Sequence, residues 1–402
     1  MTHMENTRLA TGIFVLSVLR ISNRGLTMNK TALEVMLEAA DLPHCAVAIV
    51  DSAGLRYANA CGLADTRTRA PMTPATVIQI ASWTKAIVSA AALKLVEDGR
   101  ISLHADAGAL LPALADAQIL TGFTDGGQPI TRKARGPITL HHLLTHTAGF
   151  SYAFAREDIQ RLMLMESEPG TDRYASITQP LLFDPGERWE YGISLDWVGV
   201  LIEAVTGANL GTFLGEALLG PLGMSDTAFR DALPAGAAKV HAREDGGFRP
   251  VSVYLGGGPF QSGGAGLTST VLDFARFATM ILGNGSFEGR RILSPEAVEQ
   301  LCCNQIGGMR AGLVESAMPE LVKPFELFPG VPCEWSYGFL RLPSALANGV
   351  SAGTLSWAAL FNCYFWIDRA ADLAGVFATQ LLPFGDEAAL GTYAKFQNAA
   401  YT

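Results

Sequence analysis

The chain has 402 residues, 49% hydrophobic and 17% charged, which supports a large core and excludes a disordered chain. A net charge of −9 removes the electrostatic basis for binding nucleic acid. Six cysteines without a C-x-x-C pair or zinc-like Cys/His spacing are too few for a disulfide scaffold and read as buried, reduced thiols.

Length alone suggests two or three domains, at roughly 150 residues each. Residues 10–19 (ATGIFVLSVL) are apolar but too short to span a bilayer, which takes about 20 residues. No small-x-small cleavage site follows, so residues 1–27 read as an extension or an upstream start, with a secretory signal as the alternative. The protein is expected to be cytoplasmic and without a membrane span. Next, 30–40 (KTALEVMLEAA) has helical spacing, and 44–50 (HCAVAIV) and 55–61 flank the turn Asp51-Ser52-Ala53-Gly54 as a hairpin. A strong helix is expected over 86–97, closed by Gly99. Thr139 caps a short helix (LHHLLTH), Ser194 is expected to cap a helix running to Gly207, and 209–219 reads as another. Asp196 falls in the first turn of its helix, where the dipole favours it. Thr270 and Asp273 make a capping arrangement for 271–282, and Ser294-Pro295 starts a further helix. At the C-terminal end, 354–368 (TLSWAALFNCYFWID) reads as a strand, 373–381 as a second, and 386–398 as a helix.

Both ends therefore carry helix plus antiparallel strands around a mostly helical middle. If the ends share one sheet, the fold is α/β (α+β). Its discontinuous α/β domain takes residues 28–115 and 245–402, and residues 116–244 form a mostly helical domain.

The first chemistry-bearing segment is Ser82-Trp83-Thr84-Lys85. Spacing i, i+3 puts Ser82 and Lys85 on one face of a first helical turn, with the serine at the positive end of the dipole. Lys85 is then in reach as a proton acceptor or electrostatic partner. Alone, S-x-x-K is common by chance, and a helix-start serine beside a solvated lysine is the simpler reading. Tyr191-Gly192-Ile193 sits just before a helix start, where the phenol needs a partner or packs at a loop corner. Trp357-Ala358-Ala359-Leu360 lies in the C-terminal strand run, where a backbone N–H is a candidate oxyanion donor.

In this order and spacing the three segments resemble the serine penicillin-recognising (β-lactamase/transpeptidase-like) fold. Within it they are most similar to the family VIII carboxylesterases, relatives of class C β-lactamases and of the lovastatin-side-chain acyltransferase. Longer strings carry the resemblance too: LLTHTAGFSY (143–152), FDPGERWEYGISLDWVG (183–199), SGGAGLTSTVLDFARF (262–277) and the run 357–384. The resemblance implies Ser82 as acyl-accepting nucleophile and Lys85 with Tyr191 as base system. It implies the backbone N–H groups of Ser82 and Leu360 as oxyanion hole, and Tyr152 and Trp357 as site-lining residues. It implies a small-molecule ester substrate and no metal or organic cofactor, and it leaves the oligomeric state open.

The departures are informative. β-Lactamases of this superfamily usually carry Y-x-N and K-T-G; here Ile193 and Trp357-Ala358-Ala359 stand in those places. Losing both polar groups removes the reasons to bind an anionic amide, so a neutral ester fits better, with Ile193 and Ala359 bordering the substrate. The expected activity is hydrolysis of short- to medium-chain esters. Acyl transfer to an alcohol, or weak β-lactamase or D-Ala-D-Ala peptidase activity, are the alternatives.

Two further patterns lead elsewhere. Gly349-Val350-Ser351-Ala352-Gly353 matches the G-x-S-x-G elbow, which needs a strand before and a helix after; here a strand-like run follows, and no histidine does. His141, His142 and His146 cluster on or near one short helix, with His142 and His146 at i, i+4, but no H-E-x-x-H motif is present. The resemblance implies that these histidines bond backbone groups.

Overall fold

The computed structural model describes residues 29–165 and 173–402. The expected extension over residues 1–27 lies outside them.

Eight strands form the main sheet. They are β1 (His44–Asp51), β2 (Gly54–Asp65), β3 (Ala70–Pro71), β4 (Glu334–Trp335), β5 (Leu340–Arg341), β6 (Leu355–Ala359), β7 (Cys363–Asp368) and β8 (Leu373–Ala378). The order is β4-β5-β6-β7-β8-β1-β2-β3, antiparallel throughout. The two chain ends meet where β1 pairs with β8, Ala46 opposite Ala378.

Every residue of β1, β6, β7 and β8 is buried. That explains their continuous apolar runs, since an antiparallel strand alternates only when one face meets water. Helices cover both faces: α1 (Lys30–Glu38) and α6 (Glu387–Ala400) pack together and onto β2 and β8, while α5 (Val271–Leu282) packs on β1 and β8. The other helices named below are α2 (Thr84–Glu97), α3 (Leu140–Leu144) and α4 (Ser194–Thr206). Among the described residues no single helix is long and apolar enough to cross a membrane.

Several local expectations are corrected. The run 354–368 is two strands, because Leu360–Asn362 turns the chain and Asn362 takes φ +57°. Its side-chain amide donates to the carbonyls of Leu381 and Pro383 and accepts from Gly385 and Asp386. An uninterrupted apolar pattern hides that turn. Ser194 does not cap α4 but is its first residue, with Ile193 at the N-cap making no side-chain bond. The segment over 209–219 is an α-helix only to Leu214 and continues as one π turn. The short helix after Thr139 ends at Leu144, and a capping box at its start joins Thr139 and His142. The middle of the chain also holds a hairpin, Gln118–Phe123 with Pro129–Lys133, that the helical reading passes over. All six cysteines are free, and Cys45 and Cys61 face each other across β1 and β2 with sulfurs 3.5 Å apart.

Candidate active site

Ser82 does not open the α-helix as expected. Ala81–Trp83 is a 3₁₀ turn, and α2 begins at Thr84. Trp83 drives this geometry. Its side chain is fully buried, with ring centroids 4.6 Å from Phe274 on α5 and 5.8 Å from Phe365 on β7. Anchoring Trp83 in the core leaves Ser82 in the wall of an apolar pocket. Ala81 pays for the turn with φ +40°, a left-handed conformation that costs an L-residue about 1–2 kcal/mol.

Lys85 is fully buried on α2 and has a partner for each of its three N–H bonds. They go to Ser82 Oγ at 3.2 Å, Tyr152 Oη at 2.9 Å and the Gly264 carbonyl at 2.7 Å. Tyr191 Oη donates to Ser82 Oγ at 2.7 Å and accepts from Trp357 Nε1 on β6 at 3.1 Å. The serine oxygen is thus held from two sides, by the lysine and by the phenol. Lys85 Nζ also lies 4.9 Å from the Tyr191 ring centroid and 5.2 Å from that of Tyr152.

The two tyrosines are not equivalent. Burial, then the neighbouring Tyr191 and Asp196, push the Tyr152 phenol well above its ordinary range. Tyr152 therefore stays a neutral phenol and acts as an acceptor for Lys85, while Tyr191 is the phenol hydrogen-bonded to Ser82 Oγ.

Two devices bring Tyr191 and Tyr152 together. Gly192 lets the loops touch, since a Cβ there would lie 2.4 Å from the Phe150 carbonyl oxygen. Glu190 accepts from Ser151 Oγ at 2.8 Å and is clamped by the Arg156 guanidinium through two bonds of 2.9 Å. Arg156 also reaches Glu315 at 2.6 Å.

Leu360, Ala359 and Trp357 line the pocket beside Ser82, at the end of β6. The cavity is about 250 Å³ and is walled by Phe154, Leu255, Val314, Val322, Phe325 and Phe384 as well. Ile193, expected to border the substrate, lies outside this lining. It stands in the wall of a larger cleft of about 1390 Å³ that shares Tyr152, Phe154 and Leu255 with the pocket.

The histidines are structural in three different ways. His142 accepts the Thr139 N–H through Nδ1 at 3.3 Å, and His146 accepts the Gly192 N–H at 3.4 Å. His141 departs from the expected backbone bond, pairing instead with Tyr337 Oη at 2.9 Å. Burial and the adjacent Lys85 hold His146 well below the usual histidine range, so it stays neutral against Tyr191. Among the described residues no group of three or more His, Cys, Asp or Glu side chains is arranged to hold a metal ion. Ser351 lies in a loop that leads into strand β6, without the helix that a nucleophile elbow needs.

Sequence reasoning missed the Gly264 carbonyl and the Glu190–Arg156 clamp, and it offered the stretch 318–335 as a pocket wall without a place for it. The Pro- and aromatic-rich stretch 318–335 supplies Val322 and Phe325 to that wall. Nothing in an apolar residue's identity separates pocket lining from core.

A serine held by a lysine and a tyrosine, at the junction of an antiparallel sheet and a helical region, defines the β-lactamase/transpeptidase-like class. The family described as Beta-lactamase matches residues 30–400, and the chain belongs to it. The "Lovastatin esterase" of Penicillium rubens is 33% identical over 322 residues, covering 76% of this chain and 79% of that one. The "Monacolin J acid methylbutanoyltransferase" of Aspergillus terreus is 30% identical over 293 residues, 69% and 70% of the two chains. Unliganded simvastatin synthase from Aspergillus terreus superposes with a TM-score of 0.77 at 27% identity, over 92% of this chain and 96% of that one. In fold the chain is also similar to EstCE1, titled a hydrolase with promiscuous acyltransferase activity, with a TM-score of 0.73 at 20% identity over 93% and 98%. The relatives are esterases and acyltransferases of the β-lactamase fold.

Proposed function

We propose that this protein is a serine carboxylesterase of the family VIII kind, cleaving short- to medium-chain esters through an acyl-enzyme on Ser82. One observation carries the reading: Ser82 Oγ is in hydrogen-bond reach of both Lys85 Nζ and Tyr191 Oη in the wall of an apolar pocket. Once the Lys85/Tyr191 pair has released one proton to solvent, Ser82 Oγ attacks the ester carbonyl while its own proton passes to the pair. The bond to the alcohol oxygen breaks, and the pair returns the proton to the departing alcohol. Water then repeats the sequence on the acyl-enzyme and releases the acid. The Ser82 and Leu360 N–H groups hold the oxyanion, a contribution of about 3–4 kcal/mol for a well-placed donor.

Pocket size supports the chain length. At the ~30 Å³ a water molecule occupies, about 250 Å³ holds about eight non-hydrogen atoms. The pocket suits the acyl chain, and the wider cleft suits the alcohol. That cleft also favours a second reading, acyl transfer, because it has room for an acceptor alcohol. The protein works without metal or organic cofactor, on a small-molecule ester, in the cytoplasm.

The test is Ser82→Ala beside Ser351→Ala on p-nitrophenyl esters of increasing chain length. Ser82→Ala should lose on the order of 10⁵–10⁶ in kcat, and Ser351→Ala almost nothing. The reverse pattern removes Ser82 as nucleophile. Product analysis with added alcohols separates hydrolysis from transfer.

A further inference from the structure

Asp196 is a buried acid that the proposed reaction does not use. It sits in the first turn of α4 with 4% of its surface exposed. Its position there invites a helix-dipole role, yet the carboxylate turns toward the loop 262–265. Asp196 Oδ1 accepts a very short hydrogen bond from Ser262 Oγ and a 3.1 Å bond from the Gly264 N–H. Gly264 fits only because it lacks a side chain, since a Cβ there would lie 2.5 Å from Asp196 Oδ2. The carbonyl of the same Gly264 takes the shortest of the three Lys85 hydrogen bonds, at 2.7 Å. One residue of the loop thus holds a carboxylate with its N–H and the lysine with its C=O.

We propose that Asp196 is a positioning residue for Lys85, fixing the Gly264 carbonyl that holds the ammonium and supplying the negative charge that sets how readily the Lys85/Tyr191 pair gives up its proton. The proposal rests on the reading of that pair as the base system. The groups facing this cluster come from four segments: Lys85 on α2, His146 and Tyr152 on the loop after α3, Tyr191 before α4, and Ser262. His146 and Tyr152 are held neutral. The charges that matter are therefore those of Asp196 and of the Lys85/Tyr191 pair. Burial, the largest influence, raises the Asp196 carboxyl above its ordinary range, and Lys85, then Ser262 and the Gly264 N–H, offset it only in part.

The sign follows from electrostatics. A negative neighbour opposes loss of a proton from the pair. Removing it eases that loss, so the acidic limb of the kcat/KM profile moves to lower pH. Asp196→Asn keeps the shape and can still accept from Ser262 and Gly264, but carries no charge. The experiment measures p-nitrophenyl butyrate hydrolysis against pH for the wild type, Ser82→Ala, Asp196→Asn and Ser262→Ala, each checked by thermal melting. Asp196→Asn should shift the acidic limb down by about one pH unit or more and lower the plateau kcat, with KM little changed. Ser262→Ala, which leaves the carboxylate but removes the donor that offsets its charge, should shift the limb the opposite way, to higher pH, and by less, and it carries the test if Asp196→Asn does not fold. If Ser82→Ala is inactive and the limbs of both Asp196→Asn and Ser262→Ala superimpose on the wild type, Asp196 is only structural and the proposal falls. If Ser82→Ala retains activity, the base-system reading itself fails and takes the proposal with it.

Discussion

Replacing Trp357 by phenylalanine isolates a single hydrogen bond in the site. The Trp357 indole N–H donates to Tyr191 Oη at 3.1 Å from a fully buried position on β6. Its ring is otherwise fixed by aromatic neighbours: Trp335 lies edge-on at 4.8 Å between centroids and Tyr191 at 4.9 Å. Phenylalanine keeps most of those contacts and loses the donor. If the Tyr191 oxygen takes the Ser82 proton it must first carry negative charge, the indole N–H stabilises that reactive form, and a hydrogen bond to a charged group contributes about 1.5–3 kcal/mol. At a factor of ten for each 1.4 kcal/mol, kcat at neutral pH should fall roughly ten- to one-hundred-fold as the reactive form becomes scarcer. KM should change little, because the lost bond is made to Tyr191 and not to the substrate. Steady-state hydrolysis of p-nitrophenyl butyrate reads this directly, with a thermal melt to confirm that the aromatic cluster still packs. Wild-type kcat in Trp357→Phe, beside an inactive Tyr191→Phe, would refute the argument that the reactive Tyr191 carries negative charge under the indole.

Phe325→Ala should open the pocket wall, where Phe325 packs edge-on against Phe384 at 4.6 Å, and move the preferred p-nitrophenyl ester toward longer acyl chains in a chain-length series. Arg156→Ala strips the buried side of Glu190 of its partner, so the melting temperature should drop by an amount equivalent to about 1–3 kcal/mol, and kcat should fall as the Tyr152 and Tyr191 loops lose their clamp. Burial, chiefly, and the neighbouring His241 push His44 down to about 3, while the unfolded chain titrates near 6.5. The unfolded state therefore takes up a proton that the native state refuses as pH falls below about 6.5, and stability should decline from there toward pH 3. Urea denaturation across that range checks this, and a flat profile would contradict it.

The meeting of Ser82, Lys85 and Tyr191 and the two-ended sheet were legible because each depends on local chemistry or a long apolar run. Ser82, Lys85 and Tyr191 stand in short strings whose spacing is set by a helical turn and a helix start. The runs of β1 and β8 are apolar throughout because both faces are covered. What stayed hidden depends on contacts between segments far apart in the chain. Asn362 ends one strand and starts another by bonding residues around 381–386, which no local pattern announces. Asp196 reads as a dipole residue until the loop 262–265 arrives above it. Phe325 and Phe384 form one wall of the pocket, yet in the sequence each is simply another apolar residue.

The meeting of the chain ends in one sheet also constrains how the protein is made. During synthesis β1 emerges with β2 but without β8, its other neighbour, which follows more than 300 residues later. Until then one edge of a largely apolar strand has no partner, a template for pairing with other chains. The indole that meets Tyr191, and the β6 end beside Ser82, are also translated late. A ribosome-bound chain can therefore bury Trp83 only in part and cannot assemble the pocket. The protein becomes catalytically competent in one late step, and its exposure to aggregation is concentrated before that step.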